Sequence, residues 1–331
     1  MEKKEYVGID VSKSKLDVWL YYARKHKKFD NNEEGFKRLF SWVEEITGFK
    51  LSEVSFCFEH TGLYSLPLSL YLHKKQSCFF MVSGLLVKRS LGLKRGKNDK
   101  VDAYHLSHFA YLYRQELKPY QMPSETVIKL KQLQSFRARL VKQCSGYKAH
   151  LRELKEVLKP DKEDPVVSTS TELVKVLEEK IKVIEREIIS LIKADEKLSD
   201  TYRNVTSIKG VGLVITVAMI ASTNNFQSFD NYRQFACYSG IAPFEHQSGI
   251  SYKGKSRISN LGNRAMKTLL SNAAASAIQY NPEMRLYYQR RLKEGKSKMS
   301  TINIIRNKIV SRIFAVARRQ TPYVDYCKYA I

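Results

Sequence analysis

The sequence predicts an α/β domain built on a mixed sheet, then a helical coiled-coil arm, then a mainly helical C-terminal domain. Three observations carry this. Short apolar runs with strand character alternate with helical patterns over residues 1–123. Lys, Glu and Leu dominate 124–200, where apolar residues recur at seven-residue spacing, and Gly-rich turns followed by an Ala/Leu-rich helix fill 201–331.

In the first segment, Tyr6–Val11, Leu16–Tyr22 and a short Lys27–Phe29 read as three strands joined by tight turns, hence an antiparallel meander. Asn32 can cap a helix running through Ile46, with Phe36, Leu39, Phe40 and Val43 on one face. A strand Val54–Glu59, a helix Tyr64–Lys74, a strand Cys78–Val82 and a helix from Asp99 to Arg114 complete the order βββαβαβα.

Acids stand at the ends of these elements. Asp10 ends the first strand and Glu59 the fourth, while Asp99 and Asp102, three apart at a helix start, face one side of it. Asp after a strand is also a common turn or cap residue, so Asp10 gains meaning only in company. Together the four carboxylates are an oxygen donor set suited to Mg²⁺, with Mn²⁺ as a substitute. Asp17, Asp30 and Glu53 have no such placement and read as surface acids. This strand order with these acids resembles the RuvC-like branch of the ribonuclease-H-like superfamily.

In the middle segment, Leu133, Leu140, Tyr147 and Leu154 repeat every seven residues, and Leu130, Cys144, Leu151 and Leu158 mark a second seam that Arg137 interrupts. Beyond the break at Pro160–Pro165, Leu177, Ile181, Ile184, Ile188 and Leu191 continue the spacing. A helical hairpin buried on its own domain would show this pattern. Narrow seams and charged flanks point instead to an arm that pairs chains.

Farther on, Ile208-Lys209-Gly210-Val211-Gly212 has the form of a helix-hairpin-helix turn. Such a turn offers backbone N–H groups to a phosphate; a packed helix pair without nucleic acid fits it equally, since Thr216 stands where Ala is usual. A Ser248-Gly249 loop follows, with Ser239 and Ser251 as rival hydroxyls. A Ser-Gly pair is itself a common loop dipeptide.

Charge narrows the partner. Against 57 Lys+Arg stand 33 Asp+Glu, a formal charge of +24, and a chain this basic meets a polyanion. Lys88, Arg89, Lys94, Arg95, Lys97 and Lys100 form one cluster, and residues 285–319 carry eleven Lys or Arg with Glu294 as their one acid. Lys255, Arg257 and Arg264 are further candidate phosphate contacts. The five cysteines form no Cys-x-x-Cys and no Cys/His cluster, which argues against structural zinc. The most apolar stretch, Val211 to Ala221, is too short to span a bilayer, and the N-terminus has no apolar signal region. A cytoplasmic protein that does not engage membrane is expected.

The motifs Gly8-Ile9-Asp10-Val11-Ser12-Lys13, Glu59-His60-Thr61-Gly62 and Lys97-Asn98-Asp99-Lys100-Val101-Asp102-Ala103 precede Tyr238-Ser239-Gly240-Ile241-Ala242-Pro243-Phe244-Glu245-His246-Gln247-Ser248-Gly249 and Gly254-Lys255-Ser256-Arg257-Ile258-Ser259-Asn260-Leu261-Gly262-Asn263-Arg264. In this order and separation they resemble the IS110 family of bacterial insertion-sequence transposases over nearly the whole chain. Asn98, Ser239 and Asn260 depart from the usual Thr, Ala and basic residue.

The resemblance implies an Asp-Glu-Asp-Asp metal set at Asp10, Glu59, Asp99 and Asp102 and a serine nucleophile at Ser248; Glu245 and His246 beside it have the chemistry of a base, although loop residues of these types are more often bystanders. It implies DNA, donor and target, as substrate, and a structured non-coding guide RNA that pairs with both. It also implies dimers that pair into tetramers, with the serine domain of one protomer completing the acidic site of another, and association with the nucleoid during activity. Two other readings stay open: a RuvC-like junction nuclease that uses water and the four acids alone, and an inert nucleic-acid-binding protein.

Overall fold

The computed structural model describes residues 4–92, 98–159, 161, 164–248 and 252–325; of 245–248, 252, 253, 255 and 256 only the backbone is described. The chain divides into two units, Met1–Met122 and Pro123–Ile331.

The first unit is a five-stranded mixed sheet. Strands β1 (Glu5–Val11), β2 (Lys15–Leu20) and β3 (Lys25–Asp30) form the expected antiparallel meander. β4 (Val54–Glu59) and β5 (Cys78–Val82) add parallel strands on the other side of β1, giving the order β3-β2-β1-β4-β5. Helix α1 (Glu33–Thr47) starts where the Asn32 side chain accepts from the Gly35 amide, and it ends on Gly48 in the left-handed region. α2 (Leu66–Lys74) follows β4. α3 (Gly84–Ser90), which the sequence pattern did not announce, follows β5. α4 (Asp99–Leu112) closes the unit, capped by Asn98.

Strand alternation decides which side chains meet which helix. Val7, Ile9 and Val11 of β1, with Phe56 and Phe58 of β4, point into a core shared with Phe36, Leu39, Phe40 and Val43 of α1 and Leu68 and Leu72 of α2. Tyr6 and Cys57 point the other way, against Leu106, Phe109 and Ala110 of α4. Asp10 is in phase with Tyr6, and Glu59 with Cys57. Both acids therefore belong to the face that α4 covers.

Among its described residues, the regular structure of the second unit is helical apart from one hairpin. α5 (Glu125–Val157) and α6 (Pro165–Ala194) pack along each other, tied by Arg137–Glu185 at 2.7 Å and Lys148–Glu178 at 2.5 Å. Val127 and Leu130 of α5 and Ile188 and Ile192 of α6 enter the core of this same unit. The heptad seams are thus occupied in part within one chain. Apolar side chains of α6 that stay exposed are Val166, Leu173, Val176 and Val183.

α7 (Glu196–Thr206) and α8 (Leu213–Thr223) flank the glycine turn, and α8, almost entirely buried, forms the centre of the core. α9 (Tyr232–Tyr238) leads into β6 (Pro243–Ser248) and β7 (Tyr252–Ile258), an antiparallel pair. α10 (Arg264–Tyr280), α11 (Pro282–Lys293) and α12 (Lys298–Arg319) complete the unit.

Candidate functional site: an acidic cluster and a serine hairpin

Ile9 pairs with Phe58 in the parallel β1–β4 register, so Asp10 and Glu59 follow side by side at the carboxyl ends of neighbouring strands. In open α/β sheets this is where ligands bind. Asp99 and Asp102 lie in the first turn of α4, where the helix dipole favours carboxylates. Asp99 is exposed, and the other three are partly buried.

The four acids share one electrostatic field. Burial pushes the Asp10 carboxyl up to about 6, and the charges of Asp102, Asp99, Glu59 and Asp17 add to the rise. Glu59 is also raised, chiefly by burial and further by Asp102, while the Lys88 ammonium works against the rise. Carboxylates crowded in this way need a cation, a shared proton or distance between them. Among the described residues, no three His, Cys, Asp or Glu side chains stand close enough together to hold one metal ion. The arrangement is looser than a coordination shell. Its donor chemistry still fits a hard divalent cation: all four groups offer oxygen, and their mutual repulsion is what such an ion relieves.

Asp17 corrects its reading as a surface acid. It is 5% exposed, stands opposite Asp10 in the β1–β2 register, and holds His26 Nε2 at 2.9 Å and Lys28 Nζ at 3.3 Å. Asp30 and Glu53 do lie toward the surface, in ion pairs with Lys15 and Arg38 and with Lys4.

Ser248, expected in a loop, instead ends strand β6, its backbone paired with Tyr252. Gly249 and Ser251 lie outside the described residues, and the side chains of Glu245, His246, Ser248 and Lys255 are not described. The root of this hairpin is well defined. Gly240, at φ +67°, and Gly262 cross in contact: a Cβ on Gly262 would stand 2.2 Å from Gly240 Cα. Asn303 and Asn307 of α12 both donate side-chain amides to the Ile241 carbonyl, at 2.9 and 3.0 Å. Asn263 donates its backbone N–H to Tyr238 O and its side-chain amide to Tyr238 Oη. These contacts hold the two strands where they leave the helical core. Nothing in the spacing announced Asn303 and Asn307. Ser239 drops out as a rival hydroxyl, since it is fully buried and donates to Phe235 O at 2.8 Å.

The basic candidates divide. Lys88 and Arg89 are exposed in the last turn of α3, and Arg257 and Arg264 are exposed at the end of β7 and the start of α10. Lys94, Arg95 and Lys97 lie outside the described residues. Gly210 has a packing reason of its own: its φ is +92°, and a Cβ there would stand 2.8 Å from the Ala277 backbone nitrogen on α10. Gly212 caps α8 with open space where its Cβ would be.

Two family models match this chain. One, described as "Transposase" for IS110 elements with a DEDD set, covers residues 7–159, and the other, "Transposase IS116/IS110/IS902 family", covers 202–289. The chain belongs to the IS110 family of transposases. Its relatives include the pilin gene-inverting protein of Moraxella bovis, 26% identical over 97% of this chain and 98% of that protein. The transposase of insertion element IS1111A from Coxiella burnetii is 27% identical over 40% of this chain and 37% of its own. The 43.6 kDa protein of insertion element IS110 from Streptomyces coelicolor is 28% identical over 48% and 38%. For an IS110 transposase, the first match runs from within β1 through the rest of the sheet and all of α5, and the second includes the serine hairpin. Among the described residues no helix is long and apolar enough to cross a membrane.

Proposed function

We propose that this IS110 transposase cuts and rejoins DNA through a serine-linked intermediate, with Ser248 as nucleophile and Asp10, Glu59, Asp99 and Asp102 as the site of a divalent cation, Mg²⁺ or Mn²⁺. The observation that carries this is the Asp10 carboxyl near the end of β1, raised by burial and crowded by Asp102 and Asp99 in the first turn of α4 and by Glu59 at the end of β4. Such a cation, when bound, would stabilise the charge that builds on a phosphate under attack.

The chain's own residues supply the rest. Ser248 Oγ forms a bond to phosphorus and one bridging phosphorus–oxygen bond of the DNA breaks; the departing sugar oxygen takes up a proton as the serine gives one up. The diester bond is exchanged and not lost, so the reverse attack by a new strand end rejoins DNA without ATP. The hairpin root at Gly240, Ile241 and Gly262 holds the strand that carries Ser248. Exposed Lys88, Arg89, Arg257 and Arg264 contact phosphates and orient the polyanion. Lys94, Arg95, Lys97, Lys255 and the Gly210–Gly212 turn join them in this reading.

The partners are donor and target DNA and a structured guide RNA; the +24 charge supports polyanion binding. The arm of α5 and α6 assembles dimers that pair into tetramers through the apolar residues it leaves exposed. The protein acts in the cytoplasm, at the nucleoid. A full-length relative named for inverting a pilin gene fits this reading, because inversion, like transposition, joins DNA ends anew.

The test is to trap the reaction on a nicked substrate and map the adduct by mass spectrometry. Attachment at Ser248 is expected; attachment at Ser251 or a tyrosine overturns the assignment. One observation favours a second reading, hydrolysis by a RuvC-like nuclease: all four acids lie within the first unit, without Ser248. That reading expects Ser248→Ala to cut at the normal rate.

A further inference from the structure

α3 begins at Gly84, directly after β5, and its first residue lies against Glu59. A Cβ on Gly84 would stand 2.3 Å from Glu59 Oε2 and 2.6 Å from both Oε1 and Cδ. Non-bonded heavy atoms rest at about 3.5 Å, so the carboxylate occupies the volume that any side chain at position 84 would need. Backbone conformation does not explain the glycine, because Gly84 is an ordinary helical residue and is absent from the positive-φ positions. The helix start does not explain it either, since Ser83 caps α3 without a side-chain hydrogen bond. Lys88, one turn on and on the same side of the helix, places its charge where it acts on Glu59.

We propose that Gly84 is a positioning residue for Glu59, its missing side chain being the space in which the Glu59 carboxylate stands beside the acidic cluster. This rests on the reading of Glu59 as a cation-site carboxylate. The atoms that a Cβ would meet belong to the far end of a flexible side chain and not to backbone. A methyl group at position 84 therefore displaces Glu59 and leaves β4 and α3 in place.

The experiment compares wild type, Gly84→Ala, Glu59→Gln and the double variant of the full chain, by crystal structure, thermal melting and Mn²⁺ titration followed by electron paramagnetic resonance. Gly84→Ala is expected to melt with the wild type, to show the Glu59 carboxylate moved, and to bind Mn²⁺ about tenfold more weakly. In the Glu59→Gln background, Gly84→Ala is expected to change Mn²⁺ affinity no further. An unmoved carboxylate, a large loss of stability, or an equal loss of Mn²⁺ affinity in the Glu59→Gln background overturns the proposal. If the wild type binds no Mn²⁺, the cation reading falls, and the position of Glu59 in the Gly84→Ala crystal alone decides the role of Gly84.

Discussion

Gly8 on β1 and Ala103 on α4 meet backbone to backbone. A Cβ on Gly8 would stand 2.0 Å from the Ala103 carbonyl oxygen and 2.3 Å from the Ser107 amide nitrogen. α4 can lie this deep on the sheet only because position 8 has no side chain. That depth brings Asp102, the neighbour of Ala103, into the field of Asp10, two residues along the strand from Gly8.

Gly8→Ala is therefore expected to destabilise the first unit by about 1–3 kcal/mol, the range for overpacking a close contact. It should also lower DNA cleavage under conditions where the fold persists, because α4 carries two of the acids outward as it shifts. Urea denaturation together with a cleavage assay checks both; wild-type stability would mean that the helix accommodates the methyl group.

Asp10→Asn is expected to abolish cleavage while leaving nucleic-acid binding intact, and to make the fold more stable at neutral pH. Asp10 titrates at about 6 in the fold against an ordinary 3.8, so between those values the folded chain binds more protons than the unfolded one. Stability contributed by protonated Asp10 is present below 3.8 and is lost as pH rises through 6. Asp10→Asn removes that slope, worth about 1 kcal/mol once the shift is discounted for the solvent that reaches the group. Denaturation curves at pH 4 to 8 test it, and parallel slopes for wild type and variant would count against the crowding.

How much of this was legible in the sequence depends on which physical rule each residue obeyed. Asp10 and Glu59 could be found because strand period and strand ends are written in the order of residues. Asp17 could not, because its burial depends on the β1–β2 register and on His26, which the pattern of one strand does not contain. α3 was hidden in a stretch whose basic residues dominated the reading. Gly240 and Gly262 stood out as motif residues, yet their reason, one backbone crossing another, is a long-range fact.

The heptad spacing of the arm was legible but ambiguous, since the same period serves pairing within a chain and between chains. Ile188 is buried in its own unit, so a charge placed there would damage the hairpin itself. Val176→Lys with Val183→Lys is the cleaner probe, both residues being exposed on α6. Light scattering should show the oligomer split while circular dichroism keeps its helical signal; an unchanged oligomer places the interface elsewhere.

Gly262→Ala is expected to disturb the root of the serine hairpin, because its methyl group would meet Gly240 Cα at 2.2 Å. Backbone cannot swing aside as a side chain does. Loss of about 1–3 kcal/mol in the second unit is expected, with adduct formation at Ser248 reduced more than DNA binding. Undiminished adduct yield would separate the root from the chemistry.

The mixed sheet also has a consequence for the order in which a new chain matures. β1, β2 and β3 are joined by tight turns and can pair as soon as they emerge, whereas the charges of Asp99 and Asp102 on α4 reach Asp10 only after roughly seventy further residues of synthesis. At ribosomal speed that interval is on the order of ten seconds. During it the meander can exist with Asp10 in place but without the helix that supplies Asp99 and Asp102. The acids become crowded only on the last local docking event of the unit, and the strand bearing Ser248 is made later still. A nascent chain near DNA is thus harmless through most of its synthesis, and ribosome-stalled chains ending before residue 99 should show no nuclease activity.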